Sequence, residues 1–328
     1  MDMRFRDFDA FDSSMGFYKG NLHSHTTNSD GRLTPSEAVS YYREHGYDFL
    51  ALTDHNIYSD YRDIMKLDDF LVFPGTEASI LKMRDEKFVH AVKCHHLLCF
   101  PRPYLKEREL PGYRHLERYE YPRTYGDDSD FHAITVDFIR ELKARGYVVC
   151  YNHPVWSRVD DADYLDLEGL DFLEIYNWGT VIDSATGYDA FSLQKMLDRG
   201  TRINAIATDD NHNPVGCDDS FGGFVVVNAE ALDYDMIMQA MLDGRYYSSS
   251  GAEIGNWGVR NGRAYIECRD ASLVTMVIGP NARSGRARRG RGMEYVEFDI
   301  PDDISYFRFV VTDGKGDRAW TNPCYLDA

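Results

Sequence analysis

Three stretches of the chain repeat one unit: an amphipathic helix closed by glycine, a short apolar strand, then imidazoles and carboxylates. PSEAVSYYREHG leads into YDFLALTDH, TVDFIRELKARG into YVVCYNHP, and DAFSLQKMLDRG into TRINAIATDDNH. Strands with no polar face must be covered on both sides. Their alternation with helices points to parallel strands in an α/β barrel or a doubly wound sheet. In every unit the polar groups follow the strand, at its C-terminal end, where both architectures place their active sites. No GxGxxG or P-loop sequence argues for nucleotide binding by an open sheet, so a barrel is the expected architecture.

Local signals fix the first helix. Thr34 reads as its N-cap, Pro35 as its first residue and Glu37 as the partner in a capping box, with Gly46 as the stop. FLVFPGTE, HHLLCF and LDFLEIYN supply further strands. Residues 101–130 are proline-rich, charged and aperiodic, and read as an insertion at the active-site end: a lid or an inert surface loop. After Gly251 the pattern changes to short alternating segments such as RAYIECRD and YFRFVVTDG, separated by Asn-Gly, Gly-Pro and Asp-Gly turns. These predict a small antiparallel β-sandwich over 251–328, following a barrel over 1–250. Within it NARSGRARRGRG, residues 281–292, carries five arginines and reads as a solvated hairpin loop or as an anion or subunit contact.

With 328 residues and 43% hydrophobic content the chain can bury a substantial core. The net charge of −18 argues against general binding to nucleic acid or anionic membranes, since both want a basic surface. No apolar run is long enough to span a bilayer, and MDMRFRDFDAFDSS has no apolar signal core, so a cytoplasmic location is expected. The six cysteines form no CxxC pair and read as isolated thiols.

The residues that end the strands are His23, His25 and Asp30, His55, Glu77, His96, His153, and Asp210 with His212. Taken singly each has a bland explanation, such as a turn at Asp30-Gly31. Together they form the ligand mixture that suits Zn, Mn or Fe, and nine groups are too many for one ion. In HSH, side chains two apart on an extended segment point the same way, so both imidazoles can reach one ion. Asp210 and His212 follow the same rule if TDDNH is extended; if it turns, Asp209 is the competing ligand.

The series HSH…D, TDH, GTE, HLLCF, NHP and DDNH resembles the PHP (polymerase and histidinol phosphatase) family over about residues 17–250. GRYYSSSG and AWTNPCYL further resemble a two-domain bacterial subgroup with a C-terminal β-sandwich. The resemblance implies a distorted (β/α)7 barrel with two or three divalent ions. His23, His25, Glu77 and Asp210 would hold the first. Glu77 would bridge to a second, completed by His96 and His153, and Asp30, His55 and His212 would hold the third. Some relatives have histidine where Asp30 stands. His95 competes with His96, and His45, His90, His115 and His132 fall outside the motifs.

Most characterised stand-alone members hydrolyse phosphoesters. Ions about 3.5–4 Å apart would supply a bridging hydroxide, held by Glu77 and its neighbours, to attack a small anionic phosphomonoester or phosphodiester. Arg158 and Asn177 are candidate substrate contacts. Amide, ester or carbamate hydrolysis by the same centre is the alternative, and a non-catalytic metal-binding scaffold the second. A nucleic acid polymer is not an expected substrate, and a homo-oligomer is compatible with either hydrolase.

Overall fold

The computed structural model describes all residues except 1–5, 63–64, 88–90, 105–116, 119–121, 127–130, 281–284 and 327–328. The first helix forms where its signals place it, over Pro35–Glu44. The Thr34 hydroxyl accepts from the Glu37 N–H while the Glu37 carboxylate accepts from the Thr34 N–H, so two otherwise unpaired donors are satisfied reciprocally. Ala38, Val39 and Tyr42 are its buried face. The helices Phe131–Ala144 and Ala190–Asp198 likewise run up to glycines in the left-handed region, Gly146 at φ 85° and Gly200 at φ 89°.

The protein is a mixed α/β fold in which strands outnumber helices. Two runs of parallel strands match the repeated unit. Gly16–Asn21, Phe49–Leu52 and Leu71–Pro74 pair in parallel. Tyr147–Tyr151, Phe172–Asn177 and Asn204–Thr208 do the same in a second sheet. The strand Ala91–Pro101, which carries HHLLCF, departs from the expectation. It lies antiparallel to both Thr76–Met83 and Tyr147–Tyr151. The reason is its connection: only residues 84–90 join it to Thr76–Met83, too few for a helical crossover.

Contacts just beyond the strand ends tie the two sheets together. Ser24 bridges Asn211, and His55 bridges Glu77. Leu71–Pro74 in the first sheet continues through Gly75 into Thr76–Met83 in the second. Between the sheets pack Leu22, Phe49, Leu98, Phe100, Val148, Phe172 and Ile206, all at most 1% exposed. Each such side chain contributes about 1.5–3 kcal/mol by leaving water.

Beyond residue 250 the strands Ile254–Arg260, Arg263–Gly279, Arg286–Asp299, Tyr306–Asp313 and Arg318–Thr321 are all antiparallel. Arg318–Thr321 pairs with Tyr246–Ser249, so hydrogen bonding passes without a break from this region into the strands that carry HSH. The arginine-rich stretch is not a hairpin loop from residue 286 on. Arg286, Arg288, Arg289 and Arg291 stand exposed on the strand Arg286–Asp299. Most of the expected insertion lies outside the described residues. Its Glu117–Arg118 segment pairs with Ile57–Tyr58, two residues past His55. All six cysteines are free. Among the described residues no helix is long and apolar enough to cross a membrane.

Thr34→Ala removes one half of the reciprocal cap. It is expected to lower unfolding free energy by about 0.5–2 kcal/mol in chemical denaturation, with metal content unchanged.

Candidate metal centre

Backbone hydrogen bonds zip together segments nearly 190 residues apart in sequence to build the site. The Asp210 N–H donates to His23 O at 2.9 Å, and the His25 N–H donates to Asn211 O at 3.0 Å. Extended HSH therefore lies beside DDNH, with both imidazoles on one side. On the opposite flank the Glu77 N–H donates to Thr53 O, and the Asn56 N–H to Glu77 O. Asp54 fastens the loop after HSH by accepting from the Thr26 N–H and from the Thr26 and Ser29 hydroxyls, each at 2.8 Å. Gly31 serves close approach rather than turn geometry: a Cβ there would sit 2.3 Å from the His25 carbonyl oxygen.

Glu77, fully buried, stands at the centre with five imidazoles around its carboxylate. His23 Nε2, His96 Nδ1 and His153 Nε2 lie 3.1, 3.1 and 3.2 Å from Oε1. His55 Nδ1 and His25 Nε2 lie 2.8 and 3.4 Å from Oε2. Asp210 Oδ1 lies 3.0 Å from both His23 Nε2 and His25 Nε2. Three groups have ligand atoms close enough to hold a cation: His23, His25, Glu77 and Asp210; His55, Glu77 and His96; and His25, Asp30, His55 and His212. His153 stands beside the second group through Glu77 and lies 3.8 Å from Asp210 Oδ2. His25 and His55 are thus shared between groups, which the sequence does not reveal. Asp30, 56% exposed, makes the last group the outermost, 3.4 Å from His212 Nε2 and 3.6 Å from His55 Nε2.

The two ambiguous pairs separate cleanly. Strand alternation sends His95 away from Glu77, where its Nδ1 meets the Tyr151 hydroxyl and its ring stacks on Phe131. The DDNH segment does turn, with Asp210 at φ 53°, yet Asp210 and not Asp209 faces the imidazoles. Asp209 instead accepts from the Tyr42 hydroxyl and from the N–H groups of Phe221, Gly222 and Gly223. Burial raises its pKa to about 7 despite those bonds. His45 caps the first helix and His132 faces Asp166, both away from the cluster; His90 and His115 lie outside the described residues.

Of the two expected substrate contacts, Asn177 is buried against Asp210 and Glu174. It is 1% exposed, its amide nitrogen donates to Glu174 and to Asp210 at 2.9 Å, and its oxygen caps the helix Trp178–Ser184. Arg158 is exposed, left-handed at φ 58°, and forms no ion pair among the described residues. Sequence reading missed Glu174, a lone acid inside the apolar run LDFLEIYN. It accepts from His23 Nδ1 at 2.9 Å and from the His153 N–H at 3.0 Å. With Nδ1 protonated toward Glu174, His23 turns the Nε2 lone pair into the cluster. His212 does likewise through the Asp210 carbonyl, and Asn152 holds Glu77 Oε1 at 2.9 Å.

Burial opposes charge on His23, His25, His96, His212, Glu77 and Asp210, and the neighbours decide the outcome. For His23 the carboxylates of Asp210, Glu77 and Glu174 more than reverse the burial effect, leaving it well above the ordinary histidine range. Glu77 does the same for His96. Burial wins at His25, which falls to about 4 with the help of His55 and His212. At His212 the hydrogen bond to Asp30 outweighs burial and raises it to about 9. Glu77 and Asp210 resist protonation despite burial because imidazoles surround them.

These residues fit divalent cations. His23 Nε2, His55 Nδ1 and Glu77 Oε2 are buried with no hydrogen-bond partner. They lie within ion-pair distance of opposite groups, but their angles are not those of hydrogen bonds, so they converge on shared space instead of pairing. Unpaired buried polar atoms are costly, and a cation is what nitrogen and carboxylate ligands of this kind accept.

No protein-family model matches the sequence, and no curated protein matches it. Among solved structures, the chain is similar to a two-domain protein containing a predicted PHP-like metal-dependent phosphoesterase from Bacteroides vulgatus. Identity is 16% over 94% of this chain and 95% of that one, with a TM-score of 0.48. It is also similar to a candidate metal-dependent phosphoesterase from Bifidobacterium adolescentis, with 14% identity over 61% of this chain and 91% of that one, TM-score 0.40. An amidohydrolase from Chromobacterium violaceum with bound sulfate and no metal gives 14% identity over 69% and 96%, TM-score 0.43.

His96→Ala is expected to lower bound metal per chain in elemental analysis, whereas His95→Ala leaves it unchanged. In metal-stripped protein His212 sits above its ordinary value of 6.5, so its stabilisation is complete below that pH and is lost as pH rises through about 9. Thermal denaturation of stripped protein across this window should show the decline, and His212→Asn should make it shallower, His23 and His96 supplying the remainder.

Proposed function

We propose that the chain is a metal-dependent hydrolase of the PHP type, acting on a small phosphomonoester or phosphodiester. The observation that carries this is the Glu77 carboxylate ringed by five imidazoles, with buried atoms that converge without hydrogen bonding. The reading includes a distorted (β/α)7 barrel, supported by the parallel runs and by the Ser24–Asn211 and His55–Glu77 bridges between sheets. It assigns residues 1–250 to that unit and 251–328 to a β-sandwich.

In this reading His23, His25, Glu77 and Asp210 hold one ion, Glu77 with His96 and His153 a second, and Asp30, His55 and His212 a third. Bound divalent ions of Mn, Fe or Zn acidify water and neutralise charge developing on a phosphoryl group. The chain's own residues prepare the site for this. Glu174 and the Asp210 carbonyl fix the tautomers of His23 and His212. Asn152 and Asn177 donate to Glu77 and Asp210 and hold the two carboxylates still.

A second reading, hydrolysis of an amide, ester or carbamate, draws on a different observation. Among the described residues no lysine or arginine side chain forms an ion pair or hydrogen bond with the nine groups, so no cationic clamp for a phosphate is joined to them. A neutral carbonyl substrate needs none.

Protein purified anaerobically with Mn, Fe or Zn supplied is expected to carry at least two ions per chain and to hydrolyse phosphoesters in preference to carboxyl esters and carbamates. Fewer than two ions, or turnover of carbonyl substrates alone, would sink the phosphoesterase reading. Glu77→Ala should abolish turnover, and Glu174→Gln should weaken metal binding about 10–100-fold.

A further inference from the structure

Beside the cluster lies a cavity of about 420 Å³ that the proposed chemistry does not use. Its walls come from the start of the strand Ala91–Pro101, the loop after His153, and the end of the helix Trp178–Ser184. Trp156 lines the cavity and packs against the cluster, its ring 5.0 Å from that of His153 and 5.7 Å from that of His96. Val92 and Val155, 41% and 46% exposed, add apolar surface. The charge on the walls is uneven. Lys93 is committed to Asp160 and Asp163, at 2.5 and 2.6 Å. Arg158 has no such commitment among the described residues, nor does Asp183 on the facing helix end.

The loop that presents these groups is built rather than slack. The Ser157 N–H donates to His153 O, and the Ser157 hydroxyl meets His153 Nδ1 at 3.1 Å. His153 and Arg158 both hold positive φ, 25° and 58°, a conformation uncommon for non-glycine residues. The turn that seats a candidate ligand therefore also places an indole and a guanidinium-bearing residue on the cavity wall, three and five residues after His153.

We propose that this cavity receives the leaving-group side of the substrate, and that the substrate is an ester whose leaving group is a flat, largely apolar body ending in one anionic group. The indole face and the two valines match the flat body. The Arg158 guanidinium matches a carboxylate or a phosphate at its far end. Asp183, exposed on the same walls, opposes a second negative charge there. The proposal rests on the hydrolase reading for its chemistry, but binding in the cavity is testable without turnover.

Two measurements test it on the full-length, metal-loaded protein. The first is kcat/KM for phenyl phosphate, 4-carboxyphenyl phosphate, 4-phosphonophenyl phosphate and a linear alkyl phosphate. Both aryl substrates with a second anion should exceed phenyl phosphate about tenfold, in keeping with a hydrogen bond to a charged group. Which of the two leads tells a carboxylate from a phosphate. Arg158→Ala should collapse that ratio towards one through KM, Arg158→Lys should restore part of it, and Trp156→Ala should erase the preference for aryl over alkyl that Trp156→Phe keeps. The second is calorimetric binding of 4-hydroxybenzoate, expected for the parent and lost in Arg158→Ala. If no ester is turned over but this binding behaves as stated, the hydrolase reading fails and the cavity assignment stands. Equal ratios in parent and variants, or binding indifferent to Arg158, overturn the assignment.

Discussion

A carboxylate buried out of water among five imidazoles is a constraint that no single element can satisfy. Glu77 is fully buried, and the groups that keep it charged come from four other segments of the chain. Burying an ion costs several kcal/mol unless opposite charge and hydrogen bonds offset it. In the metal-free protein His23 and His96 offset it by holding protons. A divalent ion would do so by displacing those protons, so affinity for metal rises with pH, and metal binding becomes part of the stability of the fold. The backbone bonds Asp210 N–H to His23 O and Glu77 N–H to Thr53 O are the fold's side of this arrangement.

The same logic separates groups that face the centre from groups that hold it. Asp209 and Asp210 are neighbours in sequence and both carboxylates, but one turn of backbone at φ 53° sends them to opposite tasks. Asp209 gathers three N–H groups and a tyrosine hydroxyl, which fixes the loop at Phe221–Gly223. A Cβ on Gly223 would lie 2.1 Å from Thr208 O, so that loop is held against the end of the strand that leads into Asp209. Glu174, Asn152 and Asn177 form a second layer behind the imidazoles and carboxylates, and each is at most 1% exposed.

What the sequence made legible was periodic or local. The capping box at Thr34, the glycine stops and the placing of His23, His55, His153 and His212 after apolar strands all rest on neighbours within a few residues and have counterparts in the structure, whereas His96 lies within Ala91–Pro101. What stayed illegible depended on distant partners. The antiparallel run of Ala91–Pro101 follows from a short connection in a segment without clear periodicity. The inward role of Asp210 follows from a turn that only its bond to His23 explains. The bond from Asn177 to Asp210 joins segments 33 residues apart, so local reading could not find it, although its other partner, Glu174, is only three residues away. A lone glutamate within an apolar strand was the one available hint of the second layer, since a buried acid needs a reason to be there.

The closing of HSH against DDNH also sets an order of events during synthesis. Contacts between segments so distant in sequence form late, because the intervening chain must be ordered before they are rewarded. While the chain emerges from the ribosome, HSH exists long before its partner, and the strand Phe8–Asp9 waits still longer for Gly258 and Val259. A nascent chain lacking Asp210 and His212 has histidines but no enclosed pocket for a cation. Metal selection would therefore wait until Asp210 and His212 have been made, when the mature geometry, and not the first exposed histidines, can discriminate among the ions the cell offers.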